Sequence, residues 1–167
     1  MNTNLTTLNA SILDSGADII VMSANPSLLA GSGVSGVIHK AAGPELERHA
    51  KPLGPIAVGQ AVVTPAFDAR AKYIVHAVCP RYYDGRRGES DQLRQAYQNA
   101  LSVCDKLTDV SSIAFVSMGT GVYKWPIKLA CEIAVSELIR SKLKETFVCL
   151  QDERSLIEYQ LEISRHI

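Results

Sequence analysis

Gly31-Ser-Gly33-Val-Ser-Gly36 runs directly into the apolar helical stretch Val37-Ile-His-Lys-Ala-Ala42, and the apolar run Asp18-Ile-Ile-Val-Met-Ser23 lies a few residues upstream. Glycines let main-chain N–H groups approach a phosphate closely, and the helix that follows points the positive end of its dipole at the same place. A strand, a glycine loop and a helix in this order build an anion site from backbone alone. A phosphorylated ligand is the first expectation.

The spacing fits G-x-G-x-x-G, the dinucleotide-binding turn. In that turn the strand enters the first glycine almost directly, and an acidic residue about twenty positions on holds a ribose. Neither condition is met. Asn25-Pro-Ser-Leu-Leu-Ala30 separates strand from glycines, and Pro52-Leu-Gly-Pro55 follows the helix in place of a second strand ending in Asp or Glu. A glycine-rich surface turn without a ligand is the plain alternative for this loop alone.

The loop does not stand alone. Ser117-Met-Gly119-Thr-Gly121-Val-Tyr123 follows another apolar run, Ser112-Ile-Ala-Phe-Val116, and precedes a helix opening at Pro126, where proline suits the first turn. In a parallel sheet such loops leave the carboxyl ends of their strands and meet over one crevice, so a diphosphate can be gripped from two sides.

Short apolar strands are expected at 19–23, 61–64, 73–78, 113–117 and 146–150. Leu93, Ala96, Tyr97, Ala100, Leu101 and Cys104 fall on one helical face, as do Ile127, Ala130, Cys131, Ala134 and Leu138. Strands alternating with amphipathic helices imply a mixed or mainly parallel sheet covered on both sides, hence a three-layer α/β/α sandwich. With 167 residues and no linker, repeat or low-complexity tract, one domain over 1–167 is expected.

Seventeen basic and seventeen acidic residues cancel, leaving no global field to draw nucleic acid or an acidic membrane. No apolar run approaches the ~20 residues that span a bilayer. Arg86-Arg87 reads as a solvated pair in a polar loop. Cys79, Cys104, Cys131 and Cys149 form no C-x-x-C pair and read as reduced core residues. Together with an N-terminus lacking a basic start and a long apolar core, they make the cytoplasm the expected compartment. His39 reads as a packed or hydrogen-bonded structural imidazole and His76, mid-strand, as a buried and satisfied one. No metal-ligand spacing occurs among the histidines and cysteines, so neither a metal nor a cofactor is expected.

Five segments, in order, resemble the macro domain family: Asp18–Asn25, the glycine loop leading to Gly36-Val-Ile-His-Lys-Ala-Ala-Gly-Pro44, Gly59–Pro65, Ala71–Val78 and Gly119–Tyr123. The nearest likeness is to the bacterial and mitochondrial ADP-ribosyl hydrolases that also deacetylate O-acetyl-ADP-ribose. The resemblance implies a cleft for ADP-ribose or a related nucleotide, free or carried on an ADP-ribosylated protein. Gly31, Ser32, Gly33, Val34 and Ser35 would hold the diphosphate from one side, and Ser117, Gly119, Thr120, Gly121, Val122 and Tyr123 from the other, with Tyr123 packed on the distal ribose. Asn25, the second asparagine of the family's V-N-A-A-N motif, would contact that ribose or else tie its own loop. Ile12 would line the adenine end.

The departures bear on chemistry. Met22 replaces the first asparagine of that motif, and Ser35 replaces the aspartate of the family's glycine loop, which the resemblance casts as orienting or activating water. Serine accepts no proton near neutral pH without a partner base. Ser11 stands where relatives often carry an aspartate for the adenine amino group, and Leu150 where they stack an aromatic on the base. Lys124 follows Tyr123 in place of a common glycine, ahead of Trp125, and is either a charge beside the diphosphate or a solvated side chain. The expectation is therefore a binding module with weak or no hydrolysis and no assigned catalytic residue. The alternative is a hydrolase acting by substrate positioning.

Overall fold

Six short strands make one mixed sheet in the computed structural model, which describes residues 4–121 and 123–167. They are β1 (Leu5–Leu8), β2 (Ile19–Ser23), β3 (Ala61–Pro65), β4 (Tyr73–Ala77), β5 (Ser112–Val116) and β6 (Glu145–Cys149), in the spatial order β1-β6-β5-β2-β4-β3. Every neighbouring pair is parallel except β3 with β4. Strand β2 lies at the centre, with Ile19 opposite Tyr73 on one side and Ile113 on the other. Its Ile19-Ile-Val-Met22 run is at most 1% exposed. A strand buried on both faces shows a continuous apolar run instead of alternation.

Among the described residues five α-helices cover the sheet: α1 (Gly33–Ala42), α2 (Pro44–Ala50), α3 (Glu89–Ser102), α4 (Ile127–Leu138) and α5 (Glu153–Ser164). Alternate residues of β2 feed two separate cores. Ile19 and Val21 pack with Leu93 and Tyr97 of α3, Ala134 of α4 and Tyr159 of α5. Ile20 and Met22 pack with Ile38 of α1 and Leu46 of α2. The expected three-layer sandwich with a mixed sheet is what the chain forms.

All five expected strands occur to within a residue, while β1, α2 and α5 were not expected from the sequence. Leu5-Thr-Thr-Leu8 is too short and mixed to signal a strand and is held at the edge by β6, Leu5 pairing with Thr146. Helix α2 reads Pro-Glu-Leu-Glu-Arg-His-Ala and buries only Leu46 and Ala50, one turn apart. Helix α5 buries Tyr159 and Ile163 at the same spacing, and the Asp152 carboxylate caps it by accepting from Ser155 N at 2.8 Å. The four cysteine thiols are free and buried, and burial pushes Cys79 and Cys149 to about 11 and Cys104 and Cys131 to about 12. Among the described residues no helix is long and apolar enough to cross a membrane.

Candidate functional site

Because β2 and β5 are parallel neighbours, the segments leaving their carboxyl ends emerge at one edge of the sheet. After β2 the chain turns through Asn25–Ser32 and enters α1. Ser32 is extended (φ −83°, ψ 170°) and gives no side-chain cap, so the first amides of α1 have no capping oxygen from it. A β-carbon at Gly36 would land on the carbonyl oxygen of Gly31. Only glycine there lets the loop fold back onto the first turn of the helix, which brings the amide-rich turn to the edge of the cleft.

The loop after β5 is braced from three directions. The hydroxyls of Ser117 and the fully buried Tyr159 are 2.8 Å apart, and the Tyr97 hydroxyl accepts from Met118 N at 3.0 Å. Within the loop, Trp125 N donates to Gly119 O at 3.0 Å. The Trp125 indole donates to Pro80 O at 2.9 Å and packs 5.1 Å from the Tyr82 ring, while Tyr82 N donates to Tyr123 O at 3.0 Å. Tertiary contacts fix the curve of this loop in advance of any ligand.

Between the two loops lies a cleft of about 420 Å³. Asn25, Gly31, Ser32, Gly33, Val34 and Ser35 line it on one side and Ser117, Gly119, Gly121 and Tyr123 on the other. Ser23, Ala24 and Val116, which the sequence did not single out, complete the floor. They are the last residues of the two strands and the first beyond, so strand boundaries alone would have found them. No lining residue, among those described, is ionisable near neutral pH. Another cavity of about 460 Å³ lies at the opposite, amino ends of β5 and β6, beside Leu107 and Leu143.

Two expected residues are placed otherwise. Ile12 is 5% exposed and packs in the core beneath α1 and α2, so its side chain does not line the cleft. The Thr120 hydroxyl donates back to Ser117 O at 3.2 Å instead of pointing into the cleft. Val122 lies outside the described residues. Met22 likewise faces core and not cleft, fully buried with Leu28 and Ile38 on the alternate side of β2. The amide of Asn25 donates to Leu29 O at 2.8 Å and accepts from the Ser27 hydroxyl, so it ties its own loop while lining the cleft.

Of the two residues that the resemblance sets at an adenine end, Ser11 is occupied as a cap, accepting from Leu13 N at 3.3 Å, and Leu150 is 4% exposed in the core. Lys124 is exposed, adopts φ 62° and does not line the cleft. His39 is packed as expected, whereas His76 differs from the expectation of a satisfied imidazole. His76 lies 2.9 Å from Thr64 Oγ1 through Nε2, but its Nδ1 has no partner among the described residues. The same holds for His39 Nε2 and for the hydroxyl of Ser35. Burial lowers the His39 pKa, partly opposed by Glu47, so the ring is neutral at physiological pH. Ser35 and His39 are four residues apart on α1, hence on one face.

Comparison with known proteins agrees with this geometry. Residues 21–134 match the Macro domain family. An O-acetyl-ADP-ribose deacetylase of Enterobacter sp. (strain 638) is 40% identical over 158 residues, covering 89% of this chain and 87% of its own. A macro domain-containing protein of Listeria monocytogenes serotype 4b (strain F2365) is 38% identical over 161 residues, covering 89% of this chain and 91% of its own. An Oceanobacillus iheyensis macrodomain mutant with ADPR superposes with a TM-score of 0.89 at 32% identity, over 97% of this chain and 92% of that one. A Trypanosoma brucei macrodomain in complex with ADP-ribose gives a TM-score of 0.86 at 29% identity, over 95% of this chain and 68% of that one.

Proposed function

The chain belongs to the macro domain family, and from that premise we propose that it is a single macro domain over residues 1–167 that binds ADP-ribose or a closely related nucleotide and hydrolyses it weakly or not at all. The diphosphate is held by backbone: the uncapped first turn of α1 on one side and the Gly119–Tyr123 loop on the other. The base points toward β6 and Leu150, the distal ribose toward Asn25 and Tyr123. The four buried thiols suit a reducing compartment, and we assign the protein to the cytoplasm.

One observation carries the low-turnover part of this reading. The cleft is lined by glycines, small polar residues and Tyr123, and none of its described lining residues offers a carboxylate or imidazole to move a proton. General acid–base help is worth about 10²–10⁴ in rate. Isothermal titration with ADP-ribose, ADP, NAD and O-acetyl-ADP-ribose tests binding, and failure of ADP-ribose to bind at millimolar concentration overturns it. Single-turnover deacetylation of O-acetyl-ADP-ribose tests hydrolysis.

Hydrolysis by this chain is the second reading, and one specific feature favours it. The Ser35 hydroxyl is buried at the cleft wall with no partner, and a neutral His39 with a free ring nitrogen stands one turn further along the same helix face. Under this reading a water held by substrate and Ser35 attacks the acetyl carbon and gives up its proton toward His39, the acyl C–O bond breaks to release acetate, and the proton returns to the departing ribose oxygen. A His39→Gln variant then loses at least tenfold in turnover with ADP-ribose affinity intact. Equal turnover in variant and wild type removes this reading.

A further inference from the structure

The cleft does not end at Tyr123. A second hollow of about 420 Å³ begins at that side chain and runs over the carboxyl end of β4, where Val78-Cys79-Pro80-Arg81 leaves the sheet. In the strand order β6-β5-β2-β4 the first cleft lies over β5 and β2, so this hollow extends it on the side away from β6. With the base toward β6, whatever is joined to the distal ribose exits here.

We propose that this hollow receives an acidic peptide segment flanking the residue that carries the ADP-ribose. The inference rests on the ADP-ribose reading above. The hollow, about 420 Å³ and open to solvent, has room for several residues of an extended chain beside the ribose. The walls combine apolar surface from Pro26 and Val58 with two cations, Arg81 and Arg87. Arg81 is exposed and makes no ion pair or hydrogen bond among the described residues. Arg87 is pre-oriented, its guanidinium 4.8 Å above the Tyr83 ring and 3.6 Å from Asp84.

The wall is built, not loose. Glu89, 2% exposed at the start of α3, accepts backbone N–H bonds from Tyr83, Asp84, Gly85 and Arg87 at 2.6–3.1 Å. Burial pushes its pKa up, but these four donors prevail and hold it down at about 2. Glu89 stays ionised while it braces the loop and Asp84 pairs with Arg87, so the uncompensated positive charge in the hollow is that of the exposed Arg81. Arg87 covers one face of Tyr83, which narrows the room for base stacking and favours a peptide over a nucleic acid.

The test compares free ADP-ribose, an ADP-ribosylated peptide with acidic flanks and the same peptide with neutral flanks, each bound to wild type and to the Arg81→Ala/Arg87→Ala variant. The variant should bind free ADP-ribose and the neutral peptide as wild type does, and the acidic peptide about fivefold to tenfold more weakly, with a shallower salt dependence. A second variant, Arg81→Glu, should invert the preference toward a lysine-flanked peptide, which guards against a folding defect in the first. Equal losses for all three ligands, no loss for any, or an ADP-ribosylated oligonucleotide bound as tightly as the acidic peptide overturns the inference while leaving the ADP-ribose reading intact. Wild type failing to bind free ADP-ribose overturns that reading itself.

Discussion

The indole of Trp125 occupies the space where a β-carbon of residue 119 would stand: a methyl added to Gly119 would come within 2.5 Å of Trp125 Cδ1. Gly119 also adopts φ +90°, a conformation L side chains rarely take. Trp125 cannot retreat, because its indole N–H is bound to Pro80 O. Gly119→Ala should therefore cost at least about 1–3 kcal/mol of stability and weaken nucleotide binding. Gly121, with nothing within 4 Å and an ordinary φ, is the control: Gly121→Ala should fall within about 0.5 kcal/mol of wild type. Urea denaturation of both variants decides the matter, and equal midpoints would refute the wedge.

Ser35 and Met22 replace two polar residues of the family motifs, yet their surroundings predict opposite outcomes. Ser35 lines the cleft, so Ser35→Asp puts a carboxylate beside the α1 amides and should raise single-turnover hydrolysis tenfold or more. Met22 is fully buried beside Leu28, Ile38 and the cross-strand His76, so Met22→Asn gives up apolar burial in a packed core and should cost about 2–5 kcal/mol. A double variant that hydrolyses faster than Ser35→Asp alone, with stability unchanged, would contradict this division.

Lys124 sits at φ 62°, where an L residue costs about 1–2 kcal/mol, and its side chain is exposed away from the cleft. Lys124→Gly should stabilise the fold by up to about 1 kcal/mol after the added chain entropy of glycine is offset. Lys124→Ala should leave nucleotide affinity and its salt dependence as they are. A marked change in either would return Lys124 to the binding site.

His76 supplies a pH dependence with a definite sign. Burial, reinforced by the charges of His39 and His49, lowers its pKa from the ordinary 6.5 to about 4. The unfolded chain accepts a proton that the folded one refuses, so the stabilisation is complete above about pH 6.5 and is lost as pH falls toward 4. A gap of this size corresponds to about 3 kcal/mol. His39, lowered in the same direction, adds to the loss. His76→Gln should flatten the fall in unfolding free energy between pH 6.5 and 4, and an unchanged slope would show that the imidazole is not the cause.

Legibility in the sequence followed the strength of local pattern. Strand β2 was readable because the unbroken apolar run Ile19-Ile-Val-Met22 suits burial on both faces, and α3 because Leu93, Ala96, Tyr97 and Ala100 repeat with helical period. The two glycine loops were readable because their order after strands is itself the signal. Helix α2 was not, since two buried residues in seven carry too little periodicity. The orientation of Met22 and Ile12 was also hidden. A motif position tells which residue is aligned, but the side it faces depends on the pleat and on the turn beyond it. Arg87 read as solvated because its partners, Tyr83 and Asp84, are arranged only by the folded Glu89 loop.

The two bonds that join the Gly119–Tyr123 loop to the segment after β4, Tyr82 N to Tyr123 O and the Trp125 indole to Pro80 O, make one jaw out of two loops. Side chains on the rim of that jaw can be exchanged without disturbing its grip, whereas an insertion or deletion between Pro80 and Tyr82 shifts the Gly119–Tyr123 loop as well. Around Arg81, recognition of the carrier is thus free to diversify only by point substitution. Loop length there is locked to the part of the protein that holds the nucleotide.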